Sequence, residues 1–423
     1  VAINTFLKHS FLVCLLAVNS YAFDWNIFKY NLGFNMFIMD HEGSTPYWVN
    51  TNTNLKTRLT PNFGIQFYTK GVEQSLTVGA YFFQNFHNYS TNFPYRWGPT
   101  MYYKARGKRF TFYGGIFPRK NLLGRYGLNI FAPYYWFIDP NARGFLLQFQ
   151  NHYSPSKPYY GHAEFMLDWF GGNCYNTCKF GRNPYGNAMD RFQMNGSVAY
   201  NFFKDLLGIG GYFVLFHNED KYLLNGADGM QFNEKKAIDN NNIYLMDRLY
   251  FNAYIGTSLL DIAPFMEKLN ASFGMVSESS RLRQIHNNVP FMNSVGGQLD
   301  VEIQYKGFGI HNLFFFAKTP EMPFYNQYQY VEMYCTPSYC PTPIYRGVPF
   351  FQANMYNRFD LYYNWKNDFA SVRINFVLNA MRGGFDRSLP WSESYQVYMT
   401  VAFDPYNLIN KIARKKWKFL TTS

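Results

Sequence analysis

The chain has 423 residues, of which 48% are hydrophobic, yet its mean hydropathy is −0.29. Aromatic residues make up 21%, with 45 Phe and 37 Tyr, a load that argues against an ordinary soluble domain and for belts at two membrane interfaces. The formal net charge of +12 is mild for this length, and a lumen or loop bias explains it better than nucleic-acid binding, which is not expected.

Residues 1–22 read as a secretory signal: Lys8 and His9 give a basic start, Phe11 to Val18 a short apolar core, and Ser20-Tyr21-Ala22 a small-x-small cleavage site. Beyond it no apolar run reaches about 18 residues, so no helix is expected to span a bilayer. The chain instead repeats a grammar of about ten residues, apolar at every second position and closed by turn residues.

In chain order this grammar predicts strands near 29–40, 55–68, 74–86, 99–105, 108–117, 142–150, 161–170 and 189–203. It continues through 207–217, 245–258, 267–277, 296–306, 308–317, 356–366, 369–379 and 394–403. Short connections fall at Lys70-Gly71, Ala105-Arg106-Gly107, Lys204-Asp205, Gly307 and Asn367-Asp368. Long ones span 118–141, 171–188, 218–244, 278–295 and 318–355. Strands wet on one face and apolar on the other span a bilayer when they close on themselves. The predicted fold is therefore all-β: a transmembrane antiparallel up-and-down barrel over 23–404, with sixteen strands in a range of fourteen to eighteen and both termini periplasmic.

The alternation assigns the faces. Phe359, Leu361, Tyr363 and Trp365 are expected to meet lipid, and Arg358, Asp360, Tyr362 and Asn364 the lumen. Likewise Gln298, Asp300, Glu302 and Gln304 point inward, and Glu164, Met166 and Asp168 oppose Phe165, Leu167 and Trp169. Arg or Lys on the lipid face at mid-depth costs about 2–4 kcal/mol, so the charged set belongs inside. Candidate pore-lining residues are Arg109, Arg191, Arg248, Arg358 and Arg373, facing Glu164, Asp168, Asp300, Glu302 and Asp360. Opposed charges across a narrow pore would set up a transverse field; fixed ion pairs that pack the interior are the alternative. Inward Tyr81, Tyr113, Tyr250, Tyr254, Tyr362 and Tyr398 could carry sugars, although Tyr is frequent enough here for chance alignment.

The four Cys of the mature chain form two close pairs, Cys174 with Cys178 and Cys335 with Cys340, both on long loops. Local disulfides made in an oxidising compartment suit this spacing better than a metal site, with cross-loop pairing or free thiols as alternatives. His87, His152, His162, His217, His286 and His311 lie in no motif that marks a catalytic base. The run Gly208-Ile209-Gly210-Gly211 falls inside a strand and is no phosphate loop. No enzyme activity, cofactor or metal is expected.

The final strand runs from Tyr395 to Phe403, an aromatic-ended candidate for the signal read by the outer-membrane insertion machinery. In the tail at 405–423, Ile409, Ile412, Ala413, Trp417 and Leu420 recur at helical spacing among Lys411, Arg414, Lys415, Lys416 and Lys418. That pattern fits a basic amphipathic helix in the periplasm or a solvated tail.

The signal peptide, the Phe/Tyr/Asn-rich alternating strands and the loop Cys pairs resemble the outer-membrane barrel families of Helicobacter and related bacteria, such as the Hof-type porin-like paralogues. Such barrels commonly stop at a terminal aromatic, whereas here residues 404–423 come after Phe403. The expectation is an integral outer-membrane protein of a Gram-negative bacterium, surrounded by lipid and lipopolysaccharide. It would pass small polar or anionic solutes by diffusion, and a homotrimer is a familiar assembly for such a barrel. The alternative is an adhesin whose long stapled loops hold a host or environmental ligand.

Overall fold

The computed structural model describes residues 27–45, 48–86, 93–126, 137, 140–151, 160–169, 191–220, 244–284, 291–317, 354–382 and 392–403. The predicted signal, Cys174, Cys178, Cys335, Cys340 and the basic tail lie outside the described residues. Sixteen strands run in chain order: β1 (Phe28–Thr45), β2 (Trp48–Thr69), β3 (Val72–Asn85), β4 (Arg96–Arg106), β5 (Phe110–Pro118), β6 (Asn141–Asn151), β7 (Tyr160–Trp169) and β8 (Arg191–Phe202). They continue as β9 (Leu207–Asp220), β10 (Tyr244–Ser258), β11 (Lys268–Gln284), β12 (Met292–Tyr305), β13 (Phe308–Ala317), β14 (Met355–Lys366), β15 (Ala370–Arg382) and β16 (Ser392–Phe403). Each strand pairs antiparallel with its sequence neighbours, and β1 pairs with β16, so the sheet is a closed up-and-down barrel. Closure leaves no unpaired edge, which an open sheet of this length would carry.

Turn chemistry sets the register at one end. Lys70 and Gly71 take φ of 50° and 79°, and Lys306 and Gly307 take 47° and 83°. Both pairs are two-residue hairpin turns whose positive φ matches the strand twist. They bring Thr69 opposite Val72 and Tyr305 opposite Phe308. The long connections all leave from the other end.

Register then propagates one face around the ring. Phe37 lies opposite Lys56 and Thr400, Arg58 opposite Phe83, Glu164 opposite Ser197, and Arg358 opposite Asn379. Side chains of this parity are buried: Tyr356 is 1% exposed, Val377 0% and Asp168 0%. The other parity is bare and apolar, as at Leu361 (48%), Ile374 (43%) and Val397 (42%). The expected faces of β7, β12 and β14 are those observed, and Tyr395 and Phe403 fall on the outward side.

The ladders exceed the predicted strands in places. β1 and β2 stay paired up to Thr45 and Trp48, where alternation predicted a break across 41–54. β11 continues to Gln284 rather than ending at 277. These extensions are largely polar in sequence, so hydrophobic alternation does not register them.

Candidate pore

The barrel is narrowed by its own chain. β5 has nine residues and ends at Pro118, which has no N–H for the ladder. Just below, Gly115 (φ 117°) lies opposite Gly144 (φ 143°). A Cβ at Gly115 would stand 2.4 Å from the Met101 carbonyl oxygen, and one at Gly144 2.3 Å from that of Leu167. Only glycine fits these bends. From there the chain turns inward through a single 3-10 turn at Arg119–Asn121.

Charged anchors hold that segment. Arg119 is 1% exposed and pairs with the buried Asp168 of β7 at 2.5 Å. Asp168 also accepts the Arg143 backbone N–H at 2.9 Å. The Glu164 carboxylate accepts the backbone N–H groups of Leu123 and Gly124 at 2.8 and 2.7 Å, and the Gln148 side-chain amide at 3.0 Å. Tyr126 packs edge-on against Tyr212 of β9. Burial, and then the adjacent Glu164 carboxylate, push the Tyr126 phenol well above its usual range, so it stays neutral. Further along the same connection, Phe137 sits on the β1–β3 wall, against Phe37 and Phe83. Its carbonyl accepts a hydrogen bond from Arg58 at 2.8 Å, and the guanidinium lies 5.0 Å from its ring centre. The connection after β5 therefore touches opposite regions of the inner wall.

The predicted charged residues mostly reach the inner face, but they are neutralised sideways along the wall. Arg248 pairs with Glu278 at 2.9 Å, and Arg358 grips Asp360 twice, at 2.8 and 3.0 Å. Asp300 pairs with His311 at 2.8 Å. Glu302 pairs with Lys268 at 2.7 Å and accepts the Tyr362 hydroxyl at 2.8 Å. Arg373 donates to Asn375 and lies 4.0 Å from the Tyr362 ring centre. The expectation that these acids and bases oppose each other across the pore is thus corrected: nearby inward positions, on neighbouring strands or two residues apart on β14, place them within direct contact. Arg109 is a second correction. It sits exposed in the turn between β4 and β5, below the ladder, and its carbonyl accepts Gln150 N–H at 2.7 Å. Arg191 opens β8, and its side chain lies outside the described set. Tyr81, Tyr250 and Tyr362 are inward but only 1–3% exposed, packed into the wall rather than forming an open track.

Matching arginines to acids along the chain leaves out the basic side of the lumen. On the inner face of β1–β4, Lys29, Lys56, Arg58, Arg96, Lys104 and Arg106 meet one described carboxylate, Glu73, which pairs with Lys104 at 3.0 Å. The other described inner-face acids stand on β7–β14, each beside a base or a backbone donor. The signal for the basic side is present in the sequence, as Lys and Arg at inward parity on strands with few inward acids.

A cavity of about 420 Å³ lies beside Arg58 of this wall, the one of its six bases that lines it. Its sides are Asn31, Asn35, Arg58 and Thr60 of β1 and β2, Lys120 of the inward segment, and the β14–β15 turn from Lys366 to Ala370. It therefore runs from the short-turn mouth of the barrel up to the inward segment.

No known family model matches the sequence, nor does any curated protein. Among solved structures the chain is similar to OprB of Pseudomonas putida, with 9% identity over 89% of this chain and 94% of that one, at a TM-score of 0.42. It is also similar to OmpF of Salmonella typhi in a complex with daunomycin (9% identity, 90% and 99% covered, TM-score 0.45). A third is the trimer form of OmpT from Vibrio cholerae (8% identity, 89% and 99% covered, TM-score 0.44).

Proposed function

We propose that this barrel is an outer-membrane channel through which small polar and anionic solutes diffuse. The observation that carries the reading is the cavity between the inward segment, β1–β2 at Arg58 and the β14–β15 turn. Sixteen strands enclose more space than their own side chains fill, so an inward segment narrows such a lumen without sealing it. The apolar outer face supports a bilayer setting, because bare Leu361, Ile374 and Val397 would be costly in water. Cations on one side and neutralised pairs on the other favour anions near the narrowing.

The test is a planar bilayer carrying purified protein that first shows a heat-dependent gel shift, as evidence of folding. Stepwise conductance is expected, with a reversal potential in a potassium chloride gradient that favours chloride. A folded sample that gives no steps overturns the channel reading, and a cation-favouring potential overturns its selectivity.

A further inference from the structure

We propose that the outer face of β13 and β14 is a self-association surface, where two copies of this chain meet across a two-fold axis through Asn312 and Asn357. The inference rests on the outer face meeting lipid and not on conductance. His311 and Leu313 point inward, so Asn312 between them faces outward; Asn357 does the same between the buried Tyr356 and Arg358. The Asn312 amide uses both N–H groups within its own chain, donating to Asn357 Oδ1 at 2.7 Å and to the Arg358 carbonyl at 3.2 Å. The Asn312 side-chain carbonyl and the Asn357 amide N–H groups make no hydrogen bond among the described residues. Neither is enclosed by its neighbours, so one acceptor and one donor reach the lipid face side by side.

The pair lies at bilayer depth. On the same face of β13, Phe308 stands four residues towards the short-turn end and Phe316 four residues the other way, 65% and 43% exposed. At about 2.5 Å of membrane normal per residue of tilted strand, they are roughly 20 Å apart in an apolar band about 25 Å tall, with Asn312 near its middle. Ile310, Phe314, Phe359 and Leu361 surround the two amides with hydrocarbon. Lipid chains offer neither donor nor acceptor, so open amide groups there favour a partner that supplies both. A second copy supplies both. The Asn357 N–H of one copy meets the Asn312 carbonyl of the other, and the two-fold axis repeats the bond in reverse, the self-complementarity of an isologous interface. The flank allows close approach, since the residue opposite Asn357 on β15 is Ala380, and small residues let backbones draw near within a membrane.

The experiment counts subunits in folded protein, verified by the heat-dependent gel shift and kept in reductant so that intermolecular disulfides play no part. Sedimentation equilibrium in density-matched micelles gives the mass, and amine cross-linking in phosphatidylcholine vesicles repeats the count in a bilayer. A dimer is expected. Asn312→Leu with Asn357→Leu should raise its dissociation constant about tenfold, the loss of two membrane hydrogen bonds, and leave the gel-shift temperature nearly unchanged. If that variant fails to fold, Ala380→Phe decides the matter. It keeps both asparagines, adds bulk only on the lipid side and is expected to give monomer. Thr57→Val, at an outward polar position on β2, should leave the dimer intact. A folded wild type that stays monomeric overturns the proposal, as does a dimer that the double variant leaves intact. A trimer overturns it too, because an isologous pairing closes at two copies and has no place in a three-fold ring. None of these readouts needs current. A conducting monomer would sink the interface and keep the channel, and a dimer without conductance would do the reverse.

Discussion

At the scale of single residues, the interior separates charges that hold the wall from charges that face open space. Arg358 and Asp360 are both nearly inaccessible and grip each other through two bonds. Replacing one partner strands the other, at a cost of roughly 3–5 kcal/mol. Arg358→Gln is therefore expected to lower the heat-unfolding midpoint while leaving the ion preference of surviving channels alone. Lys366→Gln should do the opposite. The Arg119–Asp168 pair adds a mechanical role, because it anchors the segment that narrows the lumen. Asp168→Asn should release that segment: unit conductance rises, and trypsin gains access at Arg119, Lys120 and Arg125. A variant with unchanged conductance and digestion pattern would show that Glu164 and Tyr126 hold the segment unaided. That Asp168 and Glu164 point inward could be read from the chain by counting in twos. That they anchor a loop could not, since their partners at 119–124 carry no periodic signal.

At the scale of elements, strand pairing uses an interlock that recurs around the ring. A glycine on one strand receives an aromatic ring from the residue directly opposite: Gly98 and Tyr81, Gly196 and Phe213, Gly297 and Phe316, Gly309 and Tyr362. A Cβ at Gly309 would stand 2.2 Å from Tyr362 Cζ, and one at Gly98 2.5 Å from Tyr81 Cε1. Cross-strand contacts of this kind are the unit of sheet stability, and rings laid over glycine protect bare backbone. Gly98→Val and Gly309→Val are expected to cost about 1–3 kcal/mol each by overpacking, visible as a lower gel-shift temperature. Gly107→Ala, with its nearest neighbour at 3.8 Å, should leave that temperature unchanged. If all three behave alike, the interlock contributes nothing. Most elements are readable from the chain, because a half-lipid, half-lumen strand writes its period into every second residue, as in Phe359 to Trp365. Where the period fades, the pattern no longer marks structure. The sequence of the upper β1–β2 hairpin is largely polar, and the inward turn after Pro118 is encoded by two glycines that look like any others.

At the scale of the whole molecule, the charge pattern is a field with a direction. The basic inner face of β1–β4 looks across the lumen at a wall whose acids are already matched by Arg119, Arg248, Lys268 and Arg358. This one-sided placement of bases, rather than the net charge of +12, gives the inner face a direction. A field of this origin is screened by mobile ions, and the screening length falls from about 10 Å at 0.1 M salt to about 3 Å at 1 M. Anion preference measured as a reversal potential should therefore be strong at 0.1 M and nearly gone at 1 M. Removing two bases near the short-turn mouth, Lys29→Gln with Arg106→Gln, should lower the 0.1 M value and leave the 1 M value where it was. Direct contact with the anion predicts otherwise, because coordination within a few ångströms survives 1 M salt. A preference that persists at high salt in the double variant would place selectivity in direct contacts rather than in the field.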